Sequence, residues 1–336
     1  MHILVTGTAG FVGFHLAQRL LAEGHTVTGI DALTDYYDVR LKTARHAILG
    51  RSKAFEAHIE SIEDADALER TVAEAKPEIV IHLAAQSGVR YSIEHPKAYI
   101  DTNIIGTFNI LEIARKYAPR HLMLASTSSV YGASDAVPLR ETNQTDHPLS
   151  FYAASKKVTE VMAHSYAHLY RVPTTIFRFF NVYGPWGRPD LALFKFVKAA
   201  LAGEPIDVYG HGKMARDFTY IDDLIEAVLR LIHCVPAADG RPISELDSLS
   251  SVAPFRILNI GGGHPVELMT FIEEIESCLG VRIQKRMLPM QQGDVGRTHA
   301  SPELLLQLTG YEPSTPVSVG IPAFIAWYRS YYGNDL

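Results

Sequence analysis

An α/β fold, built on a doubly wound parallel sheet with a smaller C-terminal α/β portion, is predicted by three features of the 336-residue chain. Short apolar strands alternate with helical segments through the first half, the pattern of a parallel sheet covered on both faces. The first strand runs directly into a glycine-rich turn and then a helix, the context a phosphate-binding loop needs. Past residue 200, Pro205, Gly210, Gly212, Pro236, Gly240, Pro242 and Pro254 cut the chain into shorter pieces.

The elements follow in order. Met1-His-Ile-Leu-Val-Thr6 is an apolar strand, Gly7-Thr-Ala-Gly10-Phe-Val-Gly13 the turn, and His15-Leu-Ala-Gln-Arg-Leu-Leu21 has helical apolar spacing. The glycines permit a tight turn and close backbone approach, and a helix N-terminus offers free N–H groups and partial positive charge to a pyrophosphate. The spacing, Gly-x-x-Gly-x-x-Gly, is looser than Gly-x-Gly-x-x-Gly, and an ordinary βα turn also satisfies it. Thr26-Val-Thr-Gly-Ile30 is a second strand that delivers Asp31, eighteen residues after Gly13. An acid there can bond both ribose hydroxyls and repels a 2′-phosphate, which favours NAD over NADP; capping a helix or turn is its plainer role. Further strands are expected at about 78–83, 121–125 and 174–179, with a weaker one near 54–59. Helices are expected at about 11–22, 64–75, 96–117 and 151–169. Together these make a Rossmann-like NAD-binding domain over residues 1–180, to which segments around 215–260 return. Residues 181–336 would mainly bind the second ligand. The stretch 235–256 reads as a surface loop.

Composition excludes several function classes. Hydrophobic residues at 47% and charged residues at 20% are ordinary for a globular chain. A formal net charge of −6 argues against a general nucleic-acid binder, while leaving room for a local basic pocket. Cys234 and Cys278 lack metal-ligand spacing, and no metal site is expected. No apolar run reaches membrane-spanning length, and residues 2–22 read as strand, loop and helix rather than a signal peptide. No membrane partner and a cytoplasmic location are therefore expected.

Two clusters carry chemistry. Tyr152 and Lys156 stand four residues apart in Phe151-Tyr-Ala-Ala-Ser-Lys156, so on a helix they share one face. A free phenol titrates near 10 and is a poor base, but an adjacent cation favours the phenolate. Such a pair suits removal of an alcohol proton while a hydride leaves the same carbon; a solvated helix face is the alternative. Leu124-Ala-Ser126-Thr127-Ser128-Ser129-Val-Tyr131-Gly132 follows a strand, and hydroxyls there can donate to a developing oxyanion, or simply cap a turn.

These motifs, with Leu83-Ala-Ala85, Arg178-Phe-Phe-Asn-Val-Tyr-Gly-Pro185 and Arg216-Asp-Phe-Thr-Tyr-Ile-Asp-Asp223, resemble the extended short-chain dehydrogenase/reductases, and more narrowly the nucleotide-sugar 4-epimerases. The segments 35–42, 87–92 and 184–196 are most similar to UDP-glucuronate 4-epimerases. The resemblance implies a bound NAD held by Gly7, Gly10, Phe11, Val12, Gly13, Asp31, Lys42, Glu60, Leu83, Ala84 and Ala85. It implies Tyr152 as base, Lys156 as its partner on the nicotinamide ribose, and Thr127 as the catalytic hydroxyl. Ser128 and Ser129 would touch the sugar, Arg216 the UDP diphosphate, and Asp294 the uridine ribose or diphosphate loop. Val208-Tyr209 would flank the uracil or form an edge strand, and Arg216 could instead pair with Asp217 or Asp222. Arg188 would read the sugar carboxylate, with Arg90 a second candidate or else a packing residue. Asn181 stands where such epimerases often carry Thr, and Glu60 where an Asp usually contacts the adenine. The implied reaction is 4-epimerisation of UDP-glucuronate to UDP-galacturonate by a homodimer, seamed along the 96–117 and 151–169 helices. Neutral-sugar 4-epimerisation, decarboxylation of UDP-glucuronate and a non-catalytic NAD sensor are the rival readings.

Overall fold

The computed structural model describes residues 1–237 and 239–333. Strands β1 (His2–Thr6), β2 (Thr26–Ile30), β3 (Phe55–His58), β4 (Ile79–His82), β5 (His121–Thr127), β6 (Thr174–Phe179) and β10 (Phe255–Ile260) form one sheet. Its order is β10-β6-β5-β4-β1-β2-β3, and every pairing is parallel. The order reverses between β1 and β4, so the crevice for a ligand opens beyond the carboxyl ends of those two strands.

Helices cover both faces. One face packs against α1 (Phe11–Ala22), α2 (Val39–Leu49), α9 (Ile221–Leu231) and α11 (Glu303–Thr309) through Phe14, Leu20, Leu49, Leu224, Val228 and Leu305. The other packs against α3 (Ala65–Ala75), α6 (Thr107–Tyr117) and α7 (Phe151–Tyr170) through Leu68, Val72, Ile110, Leu111, Ala163 and Ala167. Side chains cap three of these helices: Asp38 accepts from Arg40 N, Asp64 from Ala67 N and Ser150 from Ala153 N.

The expected strands and most helices are present, but the sheet gains a seventh strand, β10, whose first residues, Phe255 and Arg256, end the expected 235–256 loop, and two helical regions also differ. Helix α2 was not anticipated, because its inner face carries Lys42 and Arg45, cations that read as a solvated surface yet are buried. The helix expected over 96–117 is broken. After α4 (Tyr91–Glu94) and α5 (Pro96–Tyr99), residues Ile100–Gly106 adopt the wider π-helical turn before α6 begins. Asn103 sits in that turn, where its amide bonds Gln86 N at 2.8 Å, Gln86 O at 3.0 Å and Ser155 Oγ at 2.9 Å. Such insertions concentrate at functional sites, and this one ties the loop after β4 to α7.

The smaller portion contains β7 (Asn181–Tyr183), β9 (Ala215–Tyr220) and β11 (Pro265–Glu267) in one sheet, and β8 (Ile206–Val208) beside β12 (Lys285–Met287) in another. Helices α8 (Ala192–Leu201), α10 (Leu268–Leu279) and α12 (Val317–Tyr332) close a separate apolar core over them, centred on Phe194, Phe271, Ile275, Phe324 and Tyr328. In the segment between α9 and β10, Asp247 is clasped by Arg256 through bonds of 2.9 and 3.1 Å, which pins the loop to the sheet edge.

One buried network fixes the helix that matters most. Glu160 on α7 accepts from Ser126 Oγ at 2.6 Å and, bidentately, from Arg178 Nε and Nη2 at 2.9 and 2.8 Å. Arg178 lies over the Tyr131 ring, whose hydroxyl donates to Asn259 Oδ1 at 2.6 Å. Helix α7 is thereby keyed to β5, β6 and β10, and Tyr152 is set at a fixed height over the hydroxyl cluster.

Candidate active site

A cavity of about 330 Å³ lies over the sheet's switch point. Gly7, Gly10, Phe11, Val12 and Gly13 line one end, with Asp31, Lys42 and Glu60 beyond them and Leu83, Ala84 and Ala85 along the floor. Two glycines there are obligatory. Gly7 has φ +80°, and a Cβ on Gly13 would lie 2.0 Å from the Gly7 carbonyl oxygen. Asp31 is oriented by two backbone donors, Ala9 N to Oδ2 and Leu33 N to Oδ1, each at 2.9 Å. Each carboxylate oxygen keeps a lone pair for a diol. Lys42 holds Thr34 through its carbonyl (2.6 Å) and hydroxyl (2.9 Å), and so shapes the wall rather than pointing free. Glu60 accepts from Thr71 Oγ1 at 2.9 Å. The cradle suits a dinucleotide with unphosphorylated ribose.

Thr127, Tyr152 and Lys156 line the far end of this cavity. Lys156 is buried, and burial pulls its ammonium down to about 8 against the opposing charge of Glu160. Burial likewise pushes the Tyr152 phenol above its ordinary value. The counter-pull comes first from a hydrogen bond with Thr127 and then from the charge of Arg188, not from Lys156 as the spacing suggested. Thr127 also accepts from Ser129 N at 3.2 Å and caps the turn Ser128–Tyr131, the turn-capping role the sequence allowed. Tyr99 stands edge-on to Tyr152 with ring centres 6.0 Å apart, and its hydroxyl donates to the Ser87 carbonyl at 2.8 Å.

Two further cavities, of about 570 and 620 Å³, open from this point toward the smaller portion. Asn181 lines all three and Thr127 the first two, while Ser128 and Ser129 wall the second. Arg188 borders the cofactor-side cavity and the largest one, and its fork is filled by Asp190, with Nε–Oδ1 at 2.9 Å and Nη2–Oδ2 at 2.8 Å. Arg216 lines both outer cavities and, among the described residues, bonds the Ala215 and Gly296 carbonyls and Met214 Sδ. Asp217 instead accepts from Gly262, Gly263 and Ala300 N–H groups, so the alternative ion pair with Arg216 is not formed. Burial pulls the Arg216 guanidinium down while Asp294 supports it, which leaves a desolvated cation facing a large cavity.

The structure separates the two arginines considered for the carboxylate. Arg90 lies 4.7 Å over the Tyr209 ring and 3.4 Å from Asp294, toward the Arg216 end. Val208 is fully buried in the C-terminal core and pairs with Met287 in the parallel β8–β12 ladder. The edge-strand reading holds for its side chain, and only Tyr209 reaches the cavity. Residues not singled out from sequence include Asp190, Tyr36 (3.4 Å from Asp190), Tyr99 and Asn103. Asp190 carried a usable signal, an acid two residues after the arginine it pairs with.

Comparison with known proteins agrees with this geometry. The sequence profile of the NAD dependent epimerase/dehydratase family matches residues 3–242. The chain belongs to that family. It is 59% identical over 334 residues to a Rhizobium meliloti protein named "Probable UDP-glucuronate 4-epimerase", covering 99% of this chain and 98% of that one. Among solved structures it resembles the UDP-glucuronic acid 4-epimerase of Bacillus cereus, in complex with UDP-glucuronic acid and NAD, at 31% identity and a TM-score of 0.88 over 99% and 100% of the two chains. It also resembles the UDP-glucose 4-epimerase of Thermotoga maritima with UDP-glucose, at 28% and 0.85 over 99% and 100%. The expected family, fold and NAD cofactor thus stand. No helix among the described residues is long and apolar enough to cross a membrane, and no group there could hold a metal ion.

Proposed function

We propose that this protein is an NAD-dependent UDP-glucuronate 4-epimerase forming UDP-galacturonate. The observation that carries the reading is the position of Arg188, a guanidinium bordering both the cofactor-side cavity and the largest outer cavity, and acting electrostatically on Tyr152. The similarity to the Rhizobium meliloti and Bacillus cereus proteins supports it. The division of labour follows: residues 1–180, with 215–260 returning to the sheet, hold the cofactor, and 181–336 mainly hold the nucleotide. Two free thiols, Cys234 and Cys278, suit a reducing cytoplasmic setting.

When bound, NAD accepts the C4 hydride of the sugar and returns it. Tyr152 takes the O4 proton, Thr127 donates toward the same oxygen, and the charge of Arg188 lowers the cost of the phenolate, while Lys156 would hold the nicotinamide ribose. Arg216 clamps the diphosphate, with Arg90, Tyr209 and Asp294 around the uridine. With the sugar held mainly through its diphosphate, the 4-keto intermediate can turn its other face to the cofactor. Oxidised at C4, a uronate is a β-keto acid. Arg188, Ser128 and Ser129 hold the carboxylate so that its C–C bond is poorly aligned for loss of CO₂.

A neutral-sugar epimerase is the second reading, favoured by Asp190, which already neutralises Arg188, and by the amide Asn181. Incubation with UDP-glucuronate alone, followed by NMR of the anomeric protons, is expected to give UDP-galacturonate without added NAD. A UDP-pentose would indicate decarboxylation, and turnover of UDP-glucose with none of the uronate would sink the assignment. Arg188→Ala should raise KM for the uronate about tenfold and for neutral sugars far less, from loss of one charge-assisted contact.

The protein is further proposed to be a homodimer. Phe108 on α6 and Val161 and Leu169 on α7 are 43%, 58% and 63% exposed on two packed helices, an apolar face suited to a second copy. Light scattering should return twice the chain mass, and Val161→Glu should halve it; a wild-type monomer at micromolar concentration refutes the seam.

A further inference from the structure

Arg45 lies on α2, in none of the cavities above, and is completely buried. Its Nη1 donates to the Ala9 carbonyl at 2.6 Å and the Tyr37 hydroxyl at 2.7 Å, and Nη2 donates to the Trp186 carbonyl at 2.6 Å. Its Nε has no hydrogen-bond partner among the described residues. The other deeply buried arginines, Arg178 and Arg256, are paired with Glu160 and Asp247. Arg45 has no carboxylate within ion-pair distance among the described residues, and its charge repels that of Lys42 on the same helix. Burying an ion without a counter-charge is strongly unfavourable. The fold retains it at one particular place, behind the glycine loop.

Both carbonyls it holds belong to functional segments. Ala9 is inside the loop Gly7–Gly13, and its own N–H orients Asp31. Trp186 has φ +59°, a left-handed conformation that a tryptophan rarely adopts and only under strain. That turn leads directly into Arg188. The adjoining carbonyl, of Pro185, is bonded by His15 Nε2 of α1 at 2.9 Å, so two cofactor-side donors hold two successive carbonyls of the sugar-side turn.

We propose that Arg45 is a positioning residue that couples cofactor occupancy to the sugar-reading turn, its buried charge being offset by the cofactor diphosphate across the glycine loop and its bonds fixing Ala9 and Trp186 as one unit. The sugar half of this rests on the assignment of Arg188 above; the cofactor half does not.

Two substitutions separate the roles. Arg45→Met removes the charge and every bond at similar volume. Nucleotide released by heat from the purified variant should show NAD affinity reduced about tenfold, the order expected for a charge-assisted interaction. Its KM for UDP-glucuronate should rise, and Arg188→Ala should add little to that rise, because the two residues act through one turn. Arg45→Lys keeps the charge, but an ammonium cannot span both carbonyls as the planar fork does. It should retain NAD near the wild-type level and show the KM increase alone. Wild-type NAD content in Arg45→Met, or additive effects of Arg45→Met and Arg188→Ala, would overturn the coupling. Should Arg45→Met not fold, an unchanged KM in Arg45→Lys overturns it equally. Because nucleotide content is measured directly, a protein inactive on the uronate but depleted of NAD by Arg45→Met refutes the substrate assignment and leaves the cofactor half standing.

Discussion

Replacing Tyr152 with phenylalanine is expected to lower kcat by about three orders of magnitude, the range over which positioned general acid–base groups act. Binding of NAD and of UDP should stay near wild type. The substitution removes one hydroxyl from a half-buried ring whose packing against Tyr99 is edge-on and apolar, so the helix and the cavity walls persist. What disappears is the hydroxyl proposed to take a proton from the sugar oxygen and give it back. Thr127 remains, but it is tied to Ser129 and has no base behind it. The loss should therefore fall on kcat and kcat/KM together, as for an interaction made only in the transition state. Single-turnover absorbance at 340 nm decides the point, since a variant lacking the base should show no transient reduced nicotinamide. A full rate in Tyr152→Phe would exclude this residue as the base.

The parts of the site that were legible in the sequence are those whose geometry is local. Strand, glycine turn and helix are contiguous, and the i, i+4 spacing of Tyr152 and Lys156 needs only a helix. Asp31 and the hydroxyls of 126–129 fall at strand ends, where an alternating pattern already places them. Long-range pairing left no such trace. That Arg216 would lack a carboxylate depended on where Asp217 finds its three N–H donors, all more than forty residues away in sequence. Arg90 was placed by Tyr209 and Asp294, and Val208 by a partner strand near residue 287. Helix α2 was hidden for a related reason. Two of its four buried residues, Lys42 and Arg45 beside Leu41 and Leu49, are cations held by carbonyls of other segments, which breaks the apolar periodicity. The π-turn before α6 was hidden as well, since it depends on Asn103 meeting Gln86 and Ser155.

Acid should destabilise this protein well above the pH at which its carboxylates protonate, because three histidines, His82 and His121 buried and His15 half-buried, are held in the neutral form. Burial lowers His15 and His121 to about 4 and His82 to about 3, from an ordinary 6.5. Each has its hydrogen bonds met as a neutral ring: His15 with the Pro185 carbonyl, His82 between Thr6 and Thr107, and His121 with Thr175. Below pH 6.5 the unfolded chain binds protons that the folded one refuses. Stability is therefore fully present above about 6.5 and is lost as pH falls toward 4, by about 3 kcal/mol for each histidine at pH 4. Glu141 works in the opposite direction. Burial raises it to about 7, so the folded state holds an extra proton between that value and 4.5 and gains stability as pH falls through this window. Its single contribution, of about 3 kcal/mol, offsets roughly one histidine of the three. The net slope should remain steep between pH 6 and 4.5. His121 is the place to test it, as it opens the interior strand β5 at the end opposite the ligand crevice and lines none of the cavities described. His121→Gln keeps a hydrogen-bonding side chain and cannot titrate, and should flatten the dependence of unfolding free energy on pH by about 1.4 kcal/mol per unit, one proton's worth. Urea unfolding at pH 6.0, 5.25 and 4.5 measures that slope. If variant and wild type run parallel, His121 is protonated in the folded protein and burial does not govern the acid limb.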